Sequence, residues 1–160
     1  AGDWGGDAQK IILMGHSAGA HTAALLGFDG ARYGAPALAG IIAIAGPLSF
    51  NPLEHDSVRA VFSEHDVIDD ARPIKRVHPG APPFLLAHGT ADRTVGAHNS
   101  EQMAAAINSA GGKARLRLYR GVGHVGIISA MAWPLRWRAP IFADARAFWR
   151  ERTALASSNA

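Results

Sequence analysis

The sequence predicts an α/β protein, a mostly parallel sheet with helices on both faces, and three observations carry that expectation. Four short apolar runs, KIILMG, LAGIIAIAG, PPFLLAHG and ARLRLY, are each bounded by turn residues, as buried strands are. Helical patterns alternate with them, and a strand–helix alternation lays each crossover helix on a face of a parallel sheet. The chain's 160 residues, 48% hydrophobic and 18% charged, suit one globular domain with a real core and are too few for two.

In chain order, Ile11 to Met14 form the first strand, apolar on both faces and so expected in a sheet interior. SAGAHTAALLG follows as a helix, with Gly27 as the expected C-cap. LAGIIAIAG is the second strand. The stretch from Pro47 to Pro83 is irregular and proline-rich, with one short helical pattern around DSVRAVFSE; its length suggests a lid or pocket wall. PPFLLAHG is the third strand, and HNSEQMAAAINSAGG a helix from a Ser/Asn start to a Gly-Gly stop. ARLRLY alternates Leu116 and Leu118 with Arg115 and Arg117, the pattern of a half-exposed edge strand. APIFADARAFWRER sets Ile141, Phe142, Ala145, Phe148 and Trp149 on one helical face. The tail from residue 153 to 160 is expected to fray. No internal repeat of architectural size is present.

Composition narrows the function classes. The formal charge of +3 comes with arginines scattered through the second half, not gathered with aromatics into a stripe, so a solvated surface is expected and no nucleic-acid partner. With no cysteine, neither a disulfide framework nor a thiolate metal site can form. The longest apolar stretch, VGIISAMAWPL, falls short of the roughly 20 residues of a membrane span. The triplets Glu54-His55-Asp56 and Glu64-His65-Asp66 do not make a metal site, because adjacent side chains point apart. No signal peptide is visible, an absence that means little here, and the compartment is left open with the cytoplasm favoured. The chain opens without Met and reaches its first strand almost at once, so its true start is expected to be missing.

In open α/β sheets, functional residues gather beyond the carboxyl ends of the strands. Ser17 lies just past the first strand, Asp92 past the third and His124 past the fourth: a nucleophile, an acid and a base on one rim. Gly15-His16-Ser17-Ala18-Gly19 is a Gly-x-Ser-x-Gly elbow, a strand-to-helix turn so tight that glycines are expected for room at both Gly15 and Gly19. The serine then stands over a helix N-terminus, with the Ala18 N–H directed at a developing oxyanion. Serine is a weak nucleophile and needs a base. His124, between glycines in GVGHVG, is that base, and Asp92 fixes its tautomer.

The stretches GHSAGAH, PPFLLAHGTADRTV and GVGHVG, in this order, resemble the carboxylesterase branch of the α/β-hydrolase fold, the lipase- and esterase-like enzymes. The resemblance runs from about residue 7 to 152, within one partial domain spanning 1–160. It implies Ser17 as nucleophile, Asp92 as acid, His124 as base and Ala18 as an oxyanion donor. It also implies a small-molecule ester substrate and no cofactor or metal. Related acyl chemistry stays open (arylformamidase, peptidase or thioesterase work), as does a non-catalytic hydrolase-fold fragment. One departure matters. The family's His-Gly-Gly oxyanion loop and first four strands precede the elbow, and only sixteen residues precede Ser17 here. The chain therefore reads as a C-terminal portion needing an upstream segment of the same protein, or a partner chain, with its oligomeric state open.

Around this site, His16, Val95, Val125 and Trp133 are candidate pocket residues, with Trp137 a further aromatic beside them. His16 is expected chiefly to pack beside the elbow, His21 to pack or cap, and His88 to brace the acid loop. Asp66, Asp69 and Asp70 compete with Asp92, but they sit in the polar irregular stretch, away from a strand end.

Overall fold

Ile41 to Ile44 and Phe84 to Ala87 are apolar at nearly every position, and such runs are stable only where both sheet faces are covered. The structure, a computed structural model, describes residues 6–30, 38–51 and 68–157. In it β1 (Ile12–His16), β2 (Gly40–Ile44), β3 (Phe84–Gly89) and β4 (Ala114–Tyr119) form one parallel sheet in the order β1-β2-β3-β4. Ile42 pairs with Met14 on one side and Leu85 on the other, and Leu85 pairs with Arg115. Every residue of β2 and β3 is buried. β4 is the expected edge: Arg115 and Arg117 face solvent, and Leu118 is 41% exposed. β1 forms the opposite edge. Among the described residues it pairs with β2 alone, and Met14 is 53% exposed.

The helices are α1 (Ala18–Asp29), α2 (His98–Ser109), α3 (His124–Ser129) and α4 (Ile141–Ser157). Strand alternation splits the core in two. Ile41, Ala43, Phe84 and Leu86 point to the face covered by α1 and α2, where Ala20, Ala24, Phe28, Met103 and Ile107 are buried. Ile42, Ile44, Leu85 and Ala87 point to the face of α3 and α4, against Ile127, Ile141, Ala145 and Phe148. Burying each large side chain here is worth about 1.5–3 kcal/mol. Helices on both faces are thus observed.

Two boundaries and two elements differ from expectation. Gly27 is not a C-cap: α1 continues to Asp29, and a Cβ at Gly27 would come within 2.9 Å of Ile41 Cγ1, so the glycine lets helix and sheet approach. α4 runs on to Ser157 through much of the tail expected to fray, with the Thr153 hydroxyl bonding back to the Trp149 carbonyl. α3 and the 3₁₀ turn Trp133–Arg138 were not expected as helices. Leu48 and Pro73, from the described part of the irregular stretch, are buried, and Ile74 N–H bonds the Leu48 carbonyl. The helical pattern around DSVRAVFSE, both Glu-His-Asp triplets and Asp66 lie outside the described residues.

Candidate active site

The elbow owes its shape to two backbone constraints. Ser17 has φ 56° and ψ −123°, a left-handed conformation that costs a non-glycine residue about 1–3 kcal/mol. Its N–H bonds the Ile44 carbonyl at the end of β2 (2.9 Å), and its carbonyl accepts from Ala20 and His21 N–H. A Cβ on Gly15 would overlap the Gly19 carbonyl, so the turn closes only over a glycine there. Gly19, expected to be needed for the same reason, is not: a Cβ there would meet nothing within 4 Å. Ala18 is the first residue of α1, so its N–H has no acceptor within the helix.

Two elements carry a line of side chains away from Ser17. His124 opens α3, and its Nε2 lies 3.0 Å from Ser17 Oγ. Its Nδ1 lies 2.7 Å from Asp92 Oδ2. A carboxylate can only accept, so Nδ1 carries the proton and Nε2 is left to accept the serine hydroxyl. Asp92 sits in the turn after β3 with its side chain wholly buried, and the His124 side chain is 13% exposed. Asp92 Oδ1 accepts the N–H groups of Thr94 and Val95, both at 2.9 Å. Burial alone would raise the Asp92 pKa. The Val95 N–H, the His124 ring and the Thr94 N–H outweigh it and hold the carboxyl below its ordinary value. Asp92 is thus held as an anion.

Three further histidines, His16, His21 and His88, make hydrogen bonds around this line. His16 Nε2 donates to the His124 carbonyl at 3.1 Å, and burial lowers its pKa. His21 Nε2 donates to the Ala71 carbonyl at 2.7 Å, tying α1 to the turn after Ile68. His88, fully buried, has Nδ1 2.7 Å from Ser100 Oγ and Nε2 2.9 Å from the carbonyl of Val95, three residues past Asp92. Ser100 was not singled out in the sequence, and twelve residues of separation leave no local signal for it. Of the rival acids, Asp69 pairs with Arg72 and Asp70 with Arg76 on the surface.

The candidate pocket residues are spread out. Val95 is half-buried, and its main chain is engaged by Asp92 and His88. Val125, next to His124, is 72% exposed, and Trp133 is 80% exposed with the Arg136 guanidinium 5.4 Å from its ring. Trp137 instead lines a hollow of about 270 Å³ with Arg120, Gly121 and Arg138, beside the His124 loop. Among the described residues no three His, Asp or Glu side chains cluster as a metal site, and no helix is long and apolar enough to cross a membrane.

Comparison with known proteins matches this architecture. The BD-FAE family model matches residues 1–107. Esterase LipQ of Mycobacterium tuberculosis is 33% identical over 129 residues, covering 68% of this chain and 31% of LipQ. The probable isoprenylcysteine alpha-carbonyl methylesterase ICMEL1 of Arabidopsis thaliana is 26% identical over 78% of this chain and 32% of that protein. The chain thus spans about a third of the length of these relatives. A truncated carbohydrate esterase from gut microbiota superposes with a TM-score of 0.80 at 21% identity, over 96% of this chain and 63% of its own. Esterase 2 of Thermogutta terrifontis gives 0.65 at 23% identity, over 88% and 52%. With its family model covering the elbow and the first three strands, and with esterases of the α/β-hydrolase fold as its structural neighbours, the chain belongs to the BD-FAE family.

Proposed function

We propose that this chain carries the catalytic triad of a serine esterase, which cleaves a small-molecule carboxylic ester through an acyl-serine intermediate. The observation that carries the reading is the unbroken line Ser17 Oγ, His124 Nε2, His124 Nδ1, Asp92 Oδ2, with contacts of 3.0 and 2.7 Å. Ser17 Oγ attacks the ester carbonyl as its proton passes to His124 Nε2. The Ala18 N–H donates to the resulting oxyanion. Collapse of the tetrahedral species expels the alcohol, which takes the proton from His124. Water, deprotonated by the same nitrogen, attacks the acyl-serine, and His124 returns the proton to Ser17 Oγ as the acid leaves. Asp92 stays ionised throughout and stabilises the imidazolium.

The esterase names of LipQ and the plant methylesterase favour esters over amides or thioesters. One N–H is half of a usual oxyanion hole, and among the described residues the Ala18 N–H is the one assigned to it; we propose that the other donor comes from a segment upstream of the elbow or from a partner chain. The experiment is a panel of chromogenic acyl esters, anilides and thioesters with the intact protein, read for a burst of product. An ester burst is expected; a burst with anilides alone would replace the reading by amide cleavage, and no burst with any would favour a non-catalytic hydrolase-fold portion.

A further inference from the structure

His88 is the buried titratable group that the reaction above leaves unused, and its surroundings admit one arrangement. The Val95 carbonyl, 2.9 Å from Nε2, can only accept, so Nε2 carries a proton. Burial lowers the His88 pKa and keeps the ring neutral, leaving Nδ1 an acceptor for the buried Ser100 hydroxyl at 2.7 Å. The same Nε2 stands 3.4 Å from Asp92 Oδ2, the oxygen that faces His124. Val95 is therefore held at both ends: its N–H on Asp92 Oδ1, its carbonyl on His88. His88, Val95 and Asp92 thus form a continuous run of contacts around the carboxylate.

We propose that His88 is a positioning residue for Asp92: its Nε2–H, set by Ser100 across the ring, ties down the Val95 carbonyl and backs the carboxylate oxygen that faces His124. The proposal rests on the reading of Asp92 as the acid of the triad. Losing the tie lets the Asp92 turn relax, and a displacement of about 1 Å in such a group costs up to about 10²-fold in rate.

The test is the reaction of Ser17 with a fluorophosphonate in the intact protein, with the maximal rate constant and the half-saturating concentration read separately. His88→Asn keeps a polar atom near Nδ1 and loses the Nε2 donor. His88→Gln carries an amide N–H near the Nε2 position. The maximal rate is expected to fall about 10- to 10²-fold in His88→Asn at unchanged half-saturation, and to recover largely in His88→Gln. Melting temperatures show that each variant is folded. A folded His88→Asn reacting at the wild-type rate, or a His88→Gln as slow as His88→Asn, overturns the proposal. Should His88→Asn not fold, ¹⁵N NMR of the wild-type imidazoles decides. A ring protonated on Nε2 alone is expected, and one protonated on Nδ1 overturns the proposal. Wild-type protein that is not labelled at Ser17, or that Asp92→Asn leaves equally reactive, sinks the underlying triad reading instead, and this inference with it.

Discussion

The His16 imidazole stands 4.6 Å from the His124 ring, and its Nε2 bonds the His124 carbonyl at 3.1 Å. The residue beside the elbow serine thus holds the backbone of the residue that reaches that serine. A neutral hydrogen bond of this kind contributes about 1 kcal/mol. His16→Leu is therefore expected to slow turnover roughly fivefold with KM nearly unchanged, since the bond orients the base and leaves the substrate untouched. Steady-state kinetics on a chromogenic ester checks this; an effect confined to KM would make His16 a pocket residue instead.

Gly15→Ala should be severe. The added methyl would overlap the Gly19 carbonyl, which is backbone and cannot swing aside. Overpacking of this sort costs about 1–3 kcal/mol, a fall of several degrees in Tm for a chain of this size. Gly19→Ala, whose methyl would meet nothing within 4 Å, should melt close to the wild type. Equal melting points for the two variants would contradict the account of the elbow.

Stability should fall with acid in two stages. His16, His21 and His88 all have pKa values lowered by burial from the ordinary 6.5. Between those folded values and 6.5 the unfolded chain binds more protons. Their contribution is thus full above about pH 6.5 and declines as pH drops below it. Asp92, held below its ordinary value, adds stability that is present above about pH 3.9 and lost as pH falls through its lower folded value. Urea midpoints across pH 3 to 8 test both stages, and His88→Gln should flatten the first. A midpoint constant from pH 7 to 5 would contradict the assignment of neutral buried histidines.

Much of this was legible in the sequence, and the failures have local causes. β2 and β3 announced themselves as apolar runs, and the elbow is a five-residue motif. Asp92 and His124 followed from their places beyond strand ends, because parallel strands bring those ends to one rim. Gly27 misled because a glycine near a helix end reads as a stop, and its contact with Ile41 belongs to the sheet. α3 was hidden by the glycines around His124, whose low helix propensity masks a one-turn helix anchored by buried Ile127. The His88–Ser100 contact joins a strand end to a helix, and no periodicity reports it.

The β1 edge yields a further prediction. Ile12, Met14, Ile42 and Phe142 line an apolar groove of about 300 Å³ beside strand atoms that pair on one side only among the described residues. An open apolar edge invites strand addition, and an edge lysine opposes it. Met14→Lys is expected to reduce self-association of the 160-residue chain in light scattering. Unchanged scattering would contradict the assignment of self-association to the β1 edge.

The central claim is that Ser17 is a nucleophile activated by His124 and Asp92. Intact-mass spectrometry with peptide mapping after fluorophosphonate treatment tests it most directly. A single adduct on Ser17 is expected, absent in Ser17→Ala and formed up to about 10⁴-fold more slowly in Asp92→Asn, where the wrong tautomer leaves Nε2 unable to accept. An adduct that persists in Ser17→Ala, or an equal rate in Asp92→Asn, would contradict the claim.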